Sequence, residues 1–268
     1  MSELESDRLL FSAISASLLA GKEILRVYEG HFEVEKKEDQ SPLTIADQNA
    51  HLIISEKLKE TSLPVLSEEG KSIDFALRNK WDFFWMVDPL DGTKEFIKRN
   101  GEFTVNIALI HQQKSILGVV YVPVTRTLYF ASGHRGAYKI ILQNEEEIVP
   151  EELIAAATKL PVENSSRKFT VVASRSHLSE ETEMFIAGLR NNHPELEFIS
   201  SGSSIKLCLV AEGSADVYPR FAPTMEWDTA AGQAICEIAG MKVTDYKTNK
   251  PLLYNKQELL NNWFIVSS

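Results

Sequence analysis

Apolar residues recur three and four positions apart near the start of the chain, where Leu10, Ile14, Leu18, Gly21, Leu25 and Tyr28 mark one face. That period matches a helical turn, so the segment predicts an amphipathic helix. A second helix is predicted over about residues 45–60, with Ala46, Ala50, Ile53, Ile54 and Leu58 turned inward. The pattern then changes. Residues 63–66 form a short apolar run, and residues 81–87 an aromatic one that reads as a buried strand. Residues 103–109 alternate, and 116–122, 127–131 and 136–140 follow as antiparallel strands. The stretch 142–168 is rich in Glu, with proline near both ends, and predicts a short helix at a boundary. It divides the chain into residues 1–150, with most candidate ligands, and residues 151–268. Beyond it, strands at 169–173, 197–199 and 216–218 alternate with helices at 179–190, 203–211 and 227–240. Such alternation predicts a layered α/β chain.

Chemistry concentrates where the aromatic strand ends. The run Asp88-Pro89-Leu90-Asp91-Gly92-Thr93 places two carboxylates and a hydroxyl within six residues. Proline and glycine predict a turn there, with both aspartates displayed at the strand's end. Paired carboxylates repel each other unless a cation lies between them, and hard divalent metals take oxygen ligands. A polar turn alone would explain Asp-x-x-Asp-Gly. Further acids weigh against that: Glu68 and Glu69 follow the 63–66 run, and Asp47 and Asp228 each stand near a helix start. Singly, each of these reads as an exposed charge or a first-turn acid.

Composition narrows the class. With 268 residues, 44% of them hydrophobic, the chain can form one large domain or two halves sharing a cleft. A net charge of −10 without a Lys/Arg tract excludes a broad nucleic-acid surface. Bound divalent cations would still let an acidic protein take an anionic substrate. No apolar run approaches the roughly twenty residues that span a bilayer. The acidic N-terminus lacks a signal-peptide pattern. Cys208 and Cys236, both in apolar helical surroundings, read as reduced core thiols of a cytoplasmic protein. Peripheral association with an inner membrane is left open, as is the choice between monomer and homodimer.

The ordered set of acids resembles the inositol monophosphatase superfamily of magnesium-dependent, lithium-sensitive phosphatases. Trp85-Met-Val-Asp-Pro-Leu-Asp-Gly-Thr93 and Trp227-Asp-Thr-Ala-Ala-Gly232 match its two long motifs. Ser67-Glu-Glu-Gly70 matches its acidic element and Ser41-Pro-Leu-Thr-Ile-Ala-Asp47 its upstream one. The resemblance runs from about residue 10 to the last strand. Residues 94–109, 172–177, 202–213 and 216–221 are similar to one branch, the bacterial 3′(2′),5′-bisphosphate nucleotidases. An inositol monophosphatase usually carries Thr-Asn-Phe after its Asp-Gly-Thr, where this chain has Lys94-Glu95-Phe96.

This resemblance implies a five-layered αβαβα sandwich. It implies one magnesium on Glu68, Asp88 and the Leu90 carbonyl, and a second on Asp88, Asp91 and Asp228. A weaker third ion is implied near Glu68. Thr93, oriented by Asp47, would position a metal-activated water and accept its proton. Gly92 and Thr93 would offer N–H groups to the scissile phosphate, with Glu68, Leu90, Asp91 and Asp228 also bordering the substrate. The branch implies Ser203, Lys206 and Arg220 near a 5′-phosphate and ribose, and His177 near the base. Lys37 either screens the acids or is a solvated loop lysine. The implied reaction removes the 3′-phosphate of 3′-phosphoadenosine 5′-phosphate, clearing a by-product of sulfate activation. An inositol monophosphatase or related sugar phosphatase is the alternative within the superfamily. A non-catalytic nucleotide and metal sensor is the alternative outside it, although no member of the acidic set is lost.

Overall fold

The computed structural model describes residues 1–30, 34–36, 42–143, 150–162, 166–173 and 179–268. The chain opens with α1 (Glu3–Glu29), capped by Ser2, whose hydroxyl accepts the Glu5 N–H at 3.2 Å. Its buried stripe includes Leu10, Ala13, Ile14, Ser17, Gly21, Ile24 and Val27. Leu18, Leu25 and Tyr28, expected on that face, are half-buried at its flank. At Gly21 α1 lies so close to the sheet that a Cβ would stand 2.4 Å from the Tyr121 ring. Two short strands, β1 (Val34–Lys36) and β2 (Pro42–Thr44), pair antiparallel and lead into α2 (Ile45–Lys59), which packs beside α1.

A seven-stranded sheet follows, with its strands in sequence order: β3 (Val65–Ser67), β4 (Phe83–Asp91), β5 (Thr104–His111), β6 (Lys114–Val122), β7 (Thr127–Ser132), β8 (Gly136–Ile141) and β9 (Thr158–Lys159). β3 and β4 are parallel and the other neighbours antiparallel. Three short helices, α3 (Phe75–Arg78), α4 (Thr93–Ile97) and α5 (Pro150–Ala156), sit in the connections. The rest of the chain builds a five-stranded sheet in the order β11 (Glu197–Ser200), β10 (Thr170–Ala173), β12 (Val217–Arg220), β14 (Phe264–Ser267), β13 (Lys242–Asp245). Helices α6 (Glu180–Leu189), α7 (Ile205–Ala211) and α8 (Glu226–Ile238) accompany it.

The layers are those expected. Helices α1 and α2 cover one face of the seven-stranded sheet, while α7 and α8 lie between the two sheets. The five-stranded sheet comes next, and α6 packs on β12 as the outer layer. The large sheet is therefore covered on both faces, and alternate residues of its strands feed two different cores. In β4, Trp85 and Val87 pack under α1 and α2, whereas Phe84 and Met86 pack with α7 and α8. In β5, Val105, Ile107 and Leu109 face the first core, and Ala108 and Ile110 the second. The alternation of residues 103–109 thus sorts side chains between cores rather than between core and water. Thr104 and Asn106 are buried polar positions of that strand.

Cys208 and Cys236 are buried free thiols, pushed up in pKa first by burial. Among the described residues no helix is long and apolar enough to cross a membrane.

The middle layer fits closely. A Cβ at Gly118 of β6 would lie 2.3 Å from the Ala231 carbonyl oxygen of α8. Backbone meets backbone there, so neither side can yield by turning a side chain. Overpacking costs about 1–3 kcal/mol, occasionally more. We expect Gly118→Ala to lower Tm by about 5 °C or more in a thermal melt. An unchanged melt would mean that α8 does not rest on β6.

Candidate active site

Glu68 and Asp88 are brought together by the parallel pairing of β3 and β4, in which Ser67 stands beside Val87. The Glu68 N–H donates to the Val87 carbonyl at 3.1 Å and extends that pairing by one residue. The sequence reading places a turn after Asp88. Instead β4 continues through Asp91, with an irregular register against β5 between Asp88 and Asp91. Pro89 cannot donate to the ladder, so a bulge forms where a turn was expected. Both aspartates then leave one strand, and the Asp88 carboxylate accepts the Leu90 N–H at 3.1 Å. The change of direction comes one step later, at Gly92, where φ is +94°. Thr93 follows as the first residue of α4.

The other two acids use one device twice. Asp47 and Asp228 are each the third residue of a helix, α2 and α8, and each carboxylate reaches back to the residue before that helix. Asp47 Oδ2 accepts the Thr44 N–H at 2.8 Å and the Thr44 hydroxyl at 2.6 Å. Asp228 Oδ2 accepts the Met225 N–H at 2.8 Å. Such a bond fixes the side chain and satisfies an orphan donor of the helix. Asp47 Oδ1 then accepts the Thr93 hydroxyl at 3.1 Å, so the contact expected between these residues is present. The start of α8 is anchored further by the fully buried Glu226, which accepts from Lys256 Nζ at 2.7 Å.

Glu68, Asp88 and Asp228 offer carboxylate oxygens that all lie within 4.8 Å of one another. Burial comes first in raising the Asp88 carboxyl well above the usual range, with the charges of Glu68, Asp91 and Asp228 adding to it. Burial and then Asp91 push Asp228 up to about 8. Asp91 is also raised by burial, though Lys206 and the Ser204 N–H pull the other way. Its Oδ2 accepts that N–H at 2.6 Å and Asn106 Nδ2 at 3.4 Å. Asp88, Asp91 and Asp228 are each held by neutral donors, and with Glu68 beside them and oxygen the only ligand atom on offer the acids fit a hard dication such as magnesium.

Two contiguous cavities of about 490 and 420 Å³ share Asp91, Gly92, Lys94, Glu95, Thr224 and Asp228. The first holds Glu68, Asp88, Leu90 and Thr93, and the second holds Ser203, Lys206 and Arg220. They form one groove with an anionic end and a cationic end. Lys206 is only 7% exposed, so it is a buried cation and not a solvated surface charge. Burial lowers its pKa to about 8, against the raising effect of Asp91. Its ammonium donates to the Ser201 carbonyl at 3.3 Å. Arg220 Nη2 donates to the Pro223 carbonyl at 3.1 Å, and its buried Nε has no partner among the described residues. Ser203 has φ +46° and stands outside α7, which begins at Ile205. The Ser204 N–H is given to Asp91 and not to the cavity.

His177 and Lys37 lie outside the described residues. Thr104, Asn106, Ser204 and Glu226 support the site without being singled out by the sequence reading. The available signal was polar residues inside apolar runs, at Thr104 and Asn106 of a buried strand.

The model of the inositol monophosphatase family matches residues 5–265. A 3′(2′),5′-bisphosphate nucleotidase CysQ of Salmonella typhimurium is 46% identical over 253 residues, covering 92% of this chain and 95% of that protein. The protein of the same name in Haemophilus influenzae is 32% identical, covering 96% and 91%. The crystal structure of CysQ from Bacteroides thetaiotaomicron, a bacterial member of the inositol monophosphatase family, is similar at a TM-score of 0.88. It is 55% identical and covers 97% of this chain and 96% of that one. An IMPase of Thermotoga maritima, 22% identical at a TM-score of 0.73, has the same fold and covers 97% and 92%.

Raised carboxyl pKa values set a pH dependence. A folded-state pKa above the unfolded one adds stability that is complete below the ordinary aspartate range. That contribution is lost as pH rises through the shifted values, with Asp228 at about 8. A bound dication offsets the loss and competes with protons for the same oxygens. We therefore expect the rise in Tm with saturating magnesium to be several degrees larger near pH 9 than near pH 6. A rise that is equal at both, or larger in acid, would contradict the cluster as the metal site.

Proposed function

The chain belongs to the inositol monophosphatase family, and we propose that it is a magnesium-dependent 3′(2′),5′-bisphosphate nucleotidase. Its substrate is 3′-phosphoadenosine 5′-phosphate, which loses the 3′-phosphate and leaves as AMP. One observation carries this reading: an all-carboxylate cluster and an adjoining pocket that adds Lys98, Lys206 and Arg220 share one groove. A substrate with two phosphates fills both ends. A monophosphate such as inositol 1-phosphate would leave buried Lys206, and Arg220 beside it, facing the carboxylates of Asp91, Glu95 and Glu102 and no phosphate. The nucleotidases that are 46% identical over most of the chain support the same choice.

Glu68, Asp88 and the Leu90 carbonyl would hold one magnesium, and Asp88, Asp91 and Asp228 a second, with a weaker third near Glu68. When bound, these ions neutralise charge on the phosphate oxygens and make water a better nucleophile at neutral pH. The chain's own residues handle the proton. Thr93 has one hydroxyl proton and two acceptors near it: Asp47 Oδ1 at 3.1 Å and the Leu90 carbonyl at 3.5 Å. The closer, charged acceptor takes it. The Thr93 lone pairs can then accept a proton from the attacking water as Thr93's own proton passes to Asp47. Thr44 holds Asp47 by two bonds, so the acceptor keeps its direction. At the far end, Lys206 and Arg220 hold the 5′-phosphate, Ser203 lies beside them, and His177 is assigned to the base.

Two reduced core thiols fit a cytoplasmic enzyme, and its place there is clearing a by-product of sulfate activation. Lithium is expected to inhibit by competing for the magnesium sites.

Phosphate release from 3′-phosphoadenosine 5′-phosphate, inositol 1-phosphate and fructose 1,6-bisphosphate, with magnesium and with chelator, tests the reading. We expect strong magnesium-dependent preference for the nucleotide. Preference for either sugar phosphate would replace the substrate, and silence on all three would favour a sensor. Lys206→Ala is expected to raise KM for the bisphosphate at least about tenfold while changing KM for 3′-AMP much less. Equal effects on both would mean that Lys206 meets no second phosphate.

A further inference from the structure

A buried polar cluster on β5 lies between the two ends of the groove. Strand pairing sets Asn106 opposite Asp88 and Thr104 opposite Asp91. Their exposures are 1% and 0%, so their polar atoms depend on partners within the protein. Asn106 Nδ2 donates to Asp91 Oδ2 at 3.4 Å, beside the bond from the Ser204 N–H. Both donors converge on Oδ2, which leaves the Oδ1 lone pairs for a cation. Asn106 Oδ1 accepts from Ser204 Oγ at 2.7 Å and from Thr104 Oγ1 at 3.0 Å. Thr104 Oγ1 also lies 2.8 Å from Ser204 Oγ and 3.0 Å from Ser203 Oγ.

Counting protons gives these contacts a direction. The Asn106 carbonyl oxygen donates nothing, so Ser204 gives its hydroxyl proton there. Thr104 has one proton, directed to Asn106 Oδ1 or Ser204 Oγ, so it accepts from Ser203. In that arrangement the Ser203 hydroxyl points toward Thr104. When a phosphate oxygen is present, Ser203 can turn its proton to it, and Thr104 can donate to Ser203 in exchange. No oxygen is left unsatisfied in either state.

We propose that Asn106 and Thr104 are positioning residues that tie the metal end of the groove to its second-phosphate end. Asn106 aims Asp91 at the metal and braces Ser204, while Thr104 orients Ser203. The second-phosphate half rests on the nucleotidase reading, whereas the Asp91 half needs only the metal.

Calorimetric titration separates the two. Magnesium alone is titrated into the wild type, Asn106→Ala and Thr104→Val, and AMP is then titrated at saturating magnesium as the carrier of the 5′-phosphate. Asn106→Ala is expected to weaken magnesium binding about tenfold and to weaken AMP as well. Thr104→Val keeps the β-branched shape and is expected to weaken AMP about fivefold with the magnesium Kd unchanged. A folded Asn106→Ala with the wild-type magnesium Kd overturns the proposal, even if its Tm falls. Should Asn106→Ala not fold, Thr104→Val decides: an unchanged AMP Kd, or a shifted magnesium Kd, overturns it. If wild-type protein binds magnesium but not AMP, the nucleotidase reading fails and takes the second-phosphate half with it.

Discussion

Repulsion among Glu68, Asp88, Asp91 and Asp228 is the constraint around which the groove is built. Asp88 is almost fully buried, and its neighbours' charges add to the effect of burial in raising its carboxyl pKa. Charges of one sign crowd a poorly hydrated space only when something restrains them or neutralises them. Here the restraints are neutral. The Leu90 N–H holds Asp88, the Met225 N–H holds Asp228, and the Ser204 N–H with Asn106 holds Asp91. These bonds fix directions without cancelling charge. The missing positive charge is what a dication brings, so the least comfortable part of the fold is also where its chemistry lies.

The elements carrying these groups come from distant parts of the chain, and the five layers exist to bring them together. Parallel β3 and β4 set Glu68 beside Asp88, and the bulge in β4 turns Asp91 toward the cationic pocket. Helix α8, seated on β6 through Gly118, delivers Asp228 from the other half of the sequence. Lys206 makes sense in the same terms. Burial lowers its pKa toward 8, and only nearby anions favour its charge. Asp91, Glu95 and Glu102 supply that field, and a phosphate would add to it. Asp91 lines both cavities, so its hydrogen bonds would matter to a cation at one end and to Lys206 at the other.

Much of this was legible in the sequence because short-range rules govern it. The acids near Pro89 and Gly92 and the helix-start positions of Asp47 and Asp228 follow local turn and capping chemistry, whereas the Thr93–Asp47 pair spans 46 positions and was implied only by the family resemblance. Helix α8 was read to within two residues at each end, since its apolar period is strong. Three features escaped. The bulge at Asp88–Asp91 replaced the expected turn because β5 continues to pair with β4 beyond Pro89. The burial of Lys206 depends on the packing of α7 between two sheets, which no local pattern encodes. The alternation of 103–109 does not reveal that both faces of β5 are covered, which is what buries Asn106 and Thr104. In each case the deciding contact comes from residues far away in sequence.

The most direct test is a crystal structure with magnesium and AMP bound. Metal density is expected among Glu68, Asp88, Asp91 and Asp228, with the AMP phosphate at Ser203, Lys206 and Arg220 and its 3′-hydroxyl toward the metals. AMP seated with its phosphate on the metals, or magnesium bound elsewhere with the four carboxylates empty, would contradict a groove built for two phosphates around one acidic cluster.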